Sequence, residues 1–463
     1  MRKRREAVIL LVLAALCLFG LRPLLWTNHA WNGHDLLYGL QRIAAAERAI
    51  RDGQWFPRWS DELYGGYGYP LLQFYPPLFS LTAAYLCLLL GLPVLTSAKL
   101  LIAAAYIGSG YFTFLFLRDL WAPPLALAGA IVFLYFPYHT SLIYTRGAMA
   151  EFLALMFMPL ALWSLRRLLV GGGRRSFLLT AGAGGLLLLS HNAVWLMAAP
   201  FLALFIVLHG WRKGVRRMGT AVLALAAGLG WTAWYWVPAF VEKRYVAIGN
   251  LVSSDNVNYR ANFIPLRDFL LFDHHFFGIS ALLLSLFMLS WLWCKPWHPE
   301  QRRDVWFHRV AVLGALFLST HLSRWIWDGI GPLQFIGYPW RFMGLAGLFA
   351  ACLMPAVLEK FEMESRWSLL PPALALMLFL PLGMKYANPA MQWFDEIETI
   401  GYEASRDGCS STVVADEYRP VWVRRPPCED LGTARDRFKV LNGTADIVVA
   451  AARSNYLELA VAA

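Results

Sequence analysis

The chain has 463 residues, of which 58% are hydrophobic and 15% are charged, and its formal net charge is +11. Soluble domains carry about 25% charged residues, so this composition excludes an ordinary soluble protein. Most of the basic residues fall in short loops between apolar runs, which is typical of membrane proteins and gives no reason to expect a nucleic-acid partner.

Apolar runs long enough to cross a bilayer recur along the chain and predict eleven transmembrane helices. The first, at 7–25, follows four basic residues and has no small-x-small cleavage motif, so it is expected to be an uncleaved span. The other ten are expected at about 95–117, 123–140, 149–169, 175–190, 192–209, 218–238, 276–294, 308–323, 341–358 and 367–384. The run at 77–91 is short, and we place it at the outer side without crossing.

Basic loops set the predicted orientation. The loops at 166–176, 209–219, 294–304 and 359–366 each carry Lys or Arg residues, which favour the cytoplasmic side. The N-terminus is then inside and the C-terminus outside. Residues 1–387 form the transmembrane domain, whose two large outer loops are 26–76 and 239–275.

The first outer loop is predicted to begin with an amphipathic helix over 34–51 that lies in the membrane interface, with Asp35 in its first turn. An acid at that place stabilises a helix through the helix dipole, so the local pattern alone also allows a structural role. Further along, Arg58 stands in a PRW motif, and GGYGYP at 65–70 is interpreted as a glycine-rich turn rather than a phosphate loop.

Four ionisable residues stand at the outer ends of predicted spans, where such residues are functional candidates. They are Arg146 and Glu151 in YTRGAMAE, His191 in SHN and Arg341 in YPWRF. Structural alternatives stay open for each. Arg146 and Glu151 could pair with each other, His191 could be a hydrogen-bonded turn residue, and Arg341 could extend to the interface or hold an anionic group.

The tail from 388 to 463 differs from the rest of the chain. TVVADEYRPVWVRR and the segments ADIVVAA and YLELAVAA are β-branched and partly alternating, which predicts a small β-rich domain outside the membrane. Cys409 and Cys428 both lie there, and an oxidising compartment would allow a disulfide between them. The other four cysteines lie in apolar runs and are expected to be packing residues.

Together, His34-Asp35, PRW, GYGYP, YPPL, YTRGAMAE, SHN and YPWRF resemble the bacterial membrane proteins labelled 6-pyruvoyl-tetrahydropterin-synthase-related, which are similar to the GT-C superfamily of glycosyltransferases. The resemblance implies an all-α polytopic membrane protein. It implies transfer of a sugar from a polyprenyl-phosphate-linked donor to an envelope glycan, lipid or protein at the outer face of the bacterial inner membrane. Membrane lipids would be further partners.

The same resemblance implies that Asp35 is the main catalytic group and Glu151 a second acidic group. Arg146 and Arg341 suit the donor phosphate because a guanidinium binds phosphate with two parallel hydrogen bonds. The expected supporting residues are His34, Arg58 and His191. A divalent metal cofactor is left open. Two alternatives remain: a transporter or flippase of a lipid-linked sugar, and an inactive relative that binds glycolipid.

Overall fold

The computed structural model describes residues 2–25, 29–269, 286–291, 298–359, 369–386 and 415–423, and the backbone of 446–453 and 456–462. Within these ranges, residues 32, 62, 64–67, 255, 256 and 289 are left out. The predicted span at 276–294 and the residues Cys409 and Cys428 therefore lie largely or wholly outside the described residues.

The described part is dominated by α-helices. In chain order they are α1 (Arg2–Leu25), α2 (Leu36–Arg51), α3 (Leu71–Phe74), α4 (Leu78–Leu90), α5 (Val94–Arg118), α6 (Pro123–Leu134), α7 (Pro137–Ser141), α8 (Met149–Val170), α9 (Arg174–Ser190), α10 (Asn192–Gly210), α11 (Val215–Trp231), α12 (Ala233–Glu242), α13 (Asn250–Ser253), α14 (Pro299–Leu318), α15 (Arg324–Gly329), α16 (Gly331–Gln334), α17 (Phe342–Leu358) and α18 (Leu370–Tyr386). A π-helical turn, Leu142–Arg146, follows α7.

Five described segments are long and apolar enough to cross a membrane, and two bent helix pairs raise the number to seven. The five are Glu6–Leu25, Val94–Arg118, Met149–Val170, Asn192–Lys213 and Pro339–Leu358. They coincide with five of the predicted spans, so the chain is a membrane protein with several apolar helices. The total of eleven stays a prediction. Helix α4, with 13 residues, is shorter than a full span.

The predicted span at 123–140 is two helices, α6 and α7, which meet at a bend of 45°. Pro137 is the cause, because proline restricts the residue before it to extended backbone. Phe136 accordingly has φ −61° and ψ 128°. The π-helical turn that follows this bend contacts both α7 and α8.

The chain divides into two compact units, of which the first comprises Met1–Leu36, Lys99–Ala233 and Val252–Gln392. Inside it α8 packs on α9, α9 on α11, α14 on α17, and both α17 and α18 on α6. Helix α17 lies in the core of this unit, since every residue from Phe342 to Leu358 is buried. Leu, Phe, Ala and Gly fill its surface, so neighbouring helices can approach closely.

The second unit comprises Leu37–Ala98, Trp234–Leu251 and Trp393–Ala463. Helix α2 is amphipathic as predicted, but Ala46 on its apolar stripe packs against Leu72, Leu81 and Ala84. Residues of α3 and α4 therefore cover part of this stripe, and the position of α2 in the membrane interface stays a prediction.

Of the GGYGYP motif, the structure describes Gly68, Tyr69 and Pro70, and Tyr69 forms a β-bridge with Ser60. Gly68 has φ +85°, and a β-carbon there would collide with the Trp59 indole, so glycine is required. The Tyr69 hydroxyl donates to Asp416 Oδ1 at 3.1 Å and accepts from the Tyr418 backbone N–H at 2.9 Å.

Part of the tail differs from the prediction. Residues 415–423, within the segment interpreted as strand-forming, instead make turns with one bridge between Val246 and Pro420. The proline lacks an N–H group and cannot extend a ladder. The end of the tail does form antiparallel strands, β1 (Asp446–Arg453) and β2 (Tyr456–Ala462), with Asp446 opposite Ala462 and Arg453 opposite Tyr456. A complete β-rich domain over 388–463 stays a prediction.

Candidate active site

The segment before α2 is attached along its backbone to the turn between α7 and α8. The indole N–H of Trp31 donates to Ile143 O at 2.8 Å. The backbone N–H groups of His34 and Asp35 donate to Thr145 O and Arg146 O at 3.2 and 2.6 Å. These bonds fix Asp35 beside Arg146, and both residues belong to the first unit.

Gly147 makes this close approach possible. Its φ is +65°, which a residue with a side chain adopts only at a cost. A β-carbon at this position would lie 2.7 Å from Leu36 Cβ and 2.8 Å from Leu36 N. The glycine of YTRGAMAE is therefore required both by its backbone conformation and by the start of α2.

The Arg146 guanidinium lies between two carboxylates. Its Nη1 donates to Glu151 Oε2 at 2.9 Å, and its Nη2 lies 3.5 Å from Asp35 Oδ2. Burial lowers the pKa of Arg146, but the charges of the Glu151 and Asp35 carboxylates more than offset this and hold the pKa above its usual range. Arg146 is thus a permanent cation.

Glu151 holds several groups in place from the first turn of α8. Besides Arg146, it accepts a hydrogen bond from the Tyr138 hydroxyl at 2.7 Å, and Arg341 Nε lies 3.4 Å from Oε2. The Arg341 Nη1 donates to Ile336 O at 3.2 Å. The two arginines, which are 195 positions apart in the sequence, are thereby drawn to one carboxylate.

The two acids differ in exposure. The Asp35 side chain is 36% exposed, whereas the Glu151 side chain is 3% exposed. Trp340 covers part of the cluster, with its ring 4.8 Å from the Arg146 Cζ. Asp35 is therefore the carboxylate that a substrate can reach, and Glu151 is a buried counter-charge for the arginines.

The three predicted supporting residues, His191, His34 and Arg58, lie in different parts of the structure. His191 caps α10, where its Nδ1 accepts the Val194 backbone N–H at 3.3 Å, so the hydrogen-bonded turn role is confirmed. His34 is exposed beside Asp35, and Arg58 is exposed in the second unit.

The cluster does not fit a divalent metal held by Asp35 and Glu151 together, because the Arg146 guanidinium occupies the space between their carboxylates. Among the described residues, no group of three His, Cys, Asp or Glu side chains could hold a metal ion.

Two parts of the structure were not foreseen from the sequence. Tyr138 and Trp340 belong to the cluster, although only Trp340 stands in a motif singled out above, YPWRF. The second feature that the sequence did not predict is a buried ion pair between Arg166 on α8 and Asp304 on α14. His209 Nε2 lies 3.6 Å and His308 Nδ1 lies 3.5 Å from the Asp304 carboxylate. The i, i+4 spacing of Asp304 and His308 was the available local signal.

These features define a polytopic helical membrane protein with an acid–arginine cluster at the ends of its helices. The fold resembles arabinofuranosyltransferase AftD from Mycobacteria, a GT-C glycosyltransferase, with a TM-score of 0.58 and 16% identity over 84% of this chain and 27% of AftD. ArnT from Cupriavidus metallidurans bound to undecaprenyl phosphate gives a TM-score of 0.48 and 12% identity over 87% of this chain and 76% of ArnT.

The chain belongs to the family of the 6-pyruvoyl-tetrahydropterin synthase related domain, a membrane protein family whose model matches residues 72–389. An uncharacterized protein of Lactococcus lactis subsp. cremoris (strain MG1363) is 26% identical over 234 residues, which are 48% of this chain and 38% of that protein. This chain therefore spans less than half the length of that relative and of AftD.

Proposed function

We propose that this protein is a GT-C-type glycosyltransferase that moves a sugar from a polyprenyl-phosphate-linked donor to an envelope acceptor at the outer face of a bacterial inner membrane. The observation that carries the proposal is the partly exposed Asp35 carboxylate beside a guanidinium that Glu151 holds in place. The GT-C-like fold supports it independently.

Asp35 is the general base in this proposal. It accepts the proton of the acceptor hydroxyl while the acceptor oxygen forms a bond to the anomeric carbon of the sugar. The bond between that carbon and the phosphate oxygen breaks, and its electron pair leaves with polyprenyl phosphate. A base acts within about 2.6–3.2 Å of the proton's oxygen, and an exposed carboxylate at a helix start can be approached that closely.

The arginines serve the leaving phosphate. Negative charge grows on the phosphate as the sugar departs, and fixed cations in a partly dry site stabilise that charge strongly. Arg341 is the better placed of the two to bind phosphate, because its side chain is 17% exposed whereas that of Arg146 is 5% exposed. Arg146 is already held by Asp35 and Glu151, so it contributes charge and keeps Asp35 in position.

The test is a transfer assay with the purified full chain in proteoliposomes. Donors are a panel of polyprenyl-phosphate-linked pentoses and hexoses carrying labelled sugar, and the acceptor is a bacterial envelope glycan extract. Label that moves to the acceptor with release of polyprenyl phosphate supports the proposal. Label that crosses the bilayer while still attached to its lipid indicates a flippase, and binding without either event indicates an inactive relative.

A further inference from the structure

A groove of about 700 Å³ lies in the first unit between the end of α10 and the start of α14. Its lining residues are Val207, Leu208, Trp211, Arg212, Pro299, Arg302, Arg303 and Trp306. It is remote from the Asp35 cluster. Arg303 is next to Asp304, which pairs with Arg166, and Arg166 is 15 residues beyond Glu151 on α8, or about 22 Å along a helix.

Three guanidinium groups in the groove lack an anion. Within the part of the chain that the structure describes, no carboxylate lies at ion-pair distance from Arg212, Arg302 or Arg303. Neighbouring basic residues are paired: Lys213 with Glu300 at 3.2 Å, and Arg166 with Asp304. The groove therefore concentrates positive charge. An anionic group bound there can contact two or more of these guanidinium groups.

The rest of the lining is apolar and outward-facing. Val207 and Trp211 are 44% and 75% exposed, and Trp306 is 40% exposed. Val207 and Trp211 are four residues apart, as are Arg302 and Trp306, so each pair lies on one side of its chain segment. The groove thus has exposed apolar side chains beside its three arginines, with both kinds contributed from each of the two chain segments.

The combination of arginines and exposed apolar side chains favours a lipid over a soluble anion as the ligand of the groove. Helix α10 is part of the apolar segment Asn192–Lys213, which can cross a membrane. Exposed tryptophans are typical of the membrane–water interface, and basic pockets between transmembrane helices bind anionic lipid headgroups. A soluble phosphate would use the arginines but would leave the exposed tryptophan and valine surface in water.

We propose that this groove binds an anionic phospholipid of the bilayer. Its phosphate lies on Arg302 and Arg303, with Arg212 at the rim, and its acyl chains lie along Val207, Trp211 and Trp306. The site is separate from the one proposed to hold the polyprenyl-phosphate donor, so it does not depend on the glycosyltransferase function.

The test measures binding of radiolabelled phosphatidylglycerol to the purified full chain in neutral detergent. The double variant Arg302→Gln/Arg303→Gln should weaken binding about tenfold or more, because each loses charge-assisted hydrogen bonds. The control, Arg174→Gln/Arg175→Gln, removes two exposed arginines from the start of α9 and should change binding less than about twofold. Thermal stability should be unchanged in both.

Two competitors complete the design. Unlabelled phosphatidylcholine and inorganic phosphate should each fail to displace the label, since the first lacks net negative charge and the second lacks acyl chains. Equal losses in both double variants would overturn the proposal, because binding would then follow total charge. Displacement by inorganic phosphate would also overturn it, since the site would then be a site for free phosphate. Failure of phosphatidylglycerol to bind would refute it outright.

Discussion

Asp35 Oδ2 lies 3.5 Å from Arg146 Nη2, although the two residues are 111 positions apart in the chain. The contact is fixed by backbone hydrogen bonds from His34 and Asp35 to Thr145 and Arg146. These bonds fix the backbone at Asp35 beside Arg146, and the Asp35 side chain is 36% exposed. This is the arrangement that a general base requires, and it makes the role of Asp35 testable by a substitution that preserves shape.

Asp35→Asn should abolish most transfer while leaving the fold intact. Asparagine keeps the size of the side chain but cannot accept the acceptor's proton, and loss of a positioned base costs about 10²–10⁴-fold in rate. The measurement is kcat for sugar transfer, with the thermal midpoint as a check on folding. Asp52→Asn, just after the end of the same helix α2, is the matched control and should keep full activity. Full activity of Asp35→Asn would show that the acid only stabilises the helix start.

Glu151→Gln should destabilise the protein as well as inactivate it. The substitution removes the counter-charge of Arg341 and leaves buried Arg146 with only Asp35, at 3.5 Å, and breaking a buried ion pair from one side costs about 3–5 kcal/mol. Thermal unfolding in detergent measures the effect. Glu151→Asp keeps the charge and should lose less stability. An unchanged thermal midpoint in Glu151→Gln would contradict the role of Glu151 as the anchor of Arg146 and Arg341.

Arg341→Ala should weaken donor binding more than it slows the chemical step. Removing one charge-assisted contact to phosphate is expected to raise KM for the polyprenyl-phosphate sugar about tenfold, with a smaller change in kcat. Arg324→Ala is the control, because Arg324 is an exposed arginine that pairs with Asp328 on its own helix α15. A fall in kcat at constant KM would instead assign Arg341 to the transition state alone.

The predicted orientation can be tested by cysteine labelling of intact cells with a membrane-impermeant reagent. A cysteine at Ser254 should be labelled from outside, and one at Arg216 should be protected until the cells are opened. Arg216, an exposed residue, is preferred to the adjacent loop residue Gly214, whose φ of +93° makes any side chain strained. Labelling of the Arg216→Cys variant in intact cells would reverse the orientation.

Cys409 and Cys428 are predicted to form a disulfide in the mature protein. Eighteen residues separate them, and closing a loop of that length stabilises a domain by about 3 kcal/mol in the chain-entropy model. Mass spectrometry of peptides from non-reduced protein should find the two joined. Free thiols at both positions would place the tail in a reducing compartment or break the proposed pairing.

The sequence by itself determined where the long apolar helices lie, because hydropathy and length act within one stretch of chain. The predicted spans at 7–25, 95–117, 149–169, 192–209 and 341–358 coincide with helices of spanning length. The sequence also indicated that Arg146 and Glu151 could form a pair, because they are five residues apart across the start of a helix.

Tertiary structure decided what those residues do. Only packing could place Asp35 against Arg146, bring Arg341 to Glu151, and bury Glu151 while leaving Asp35 accessible. The pairing of Arg166 with Asp304, which are 138 positions apart, depends in the same way on how α8 and α14 meet. Local pattern carries no information about such partners, because burial and ion pairing depend on which helices the whole chain brings into contact.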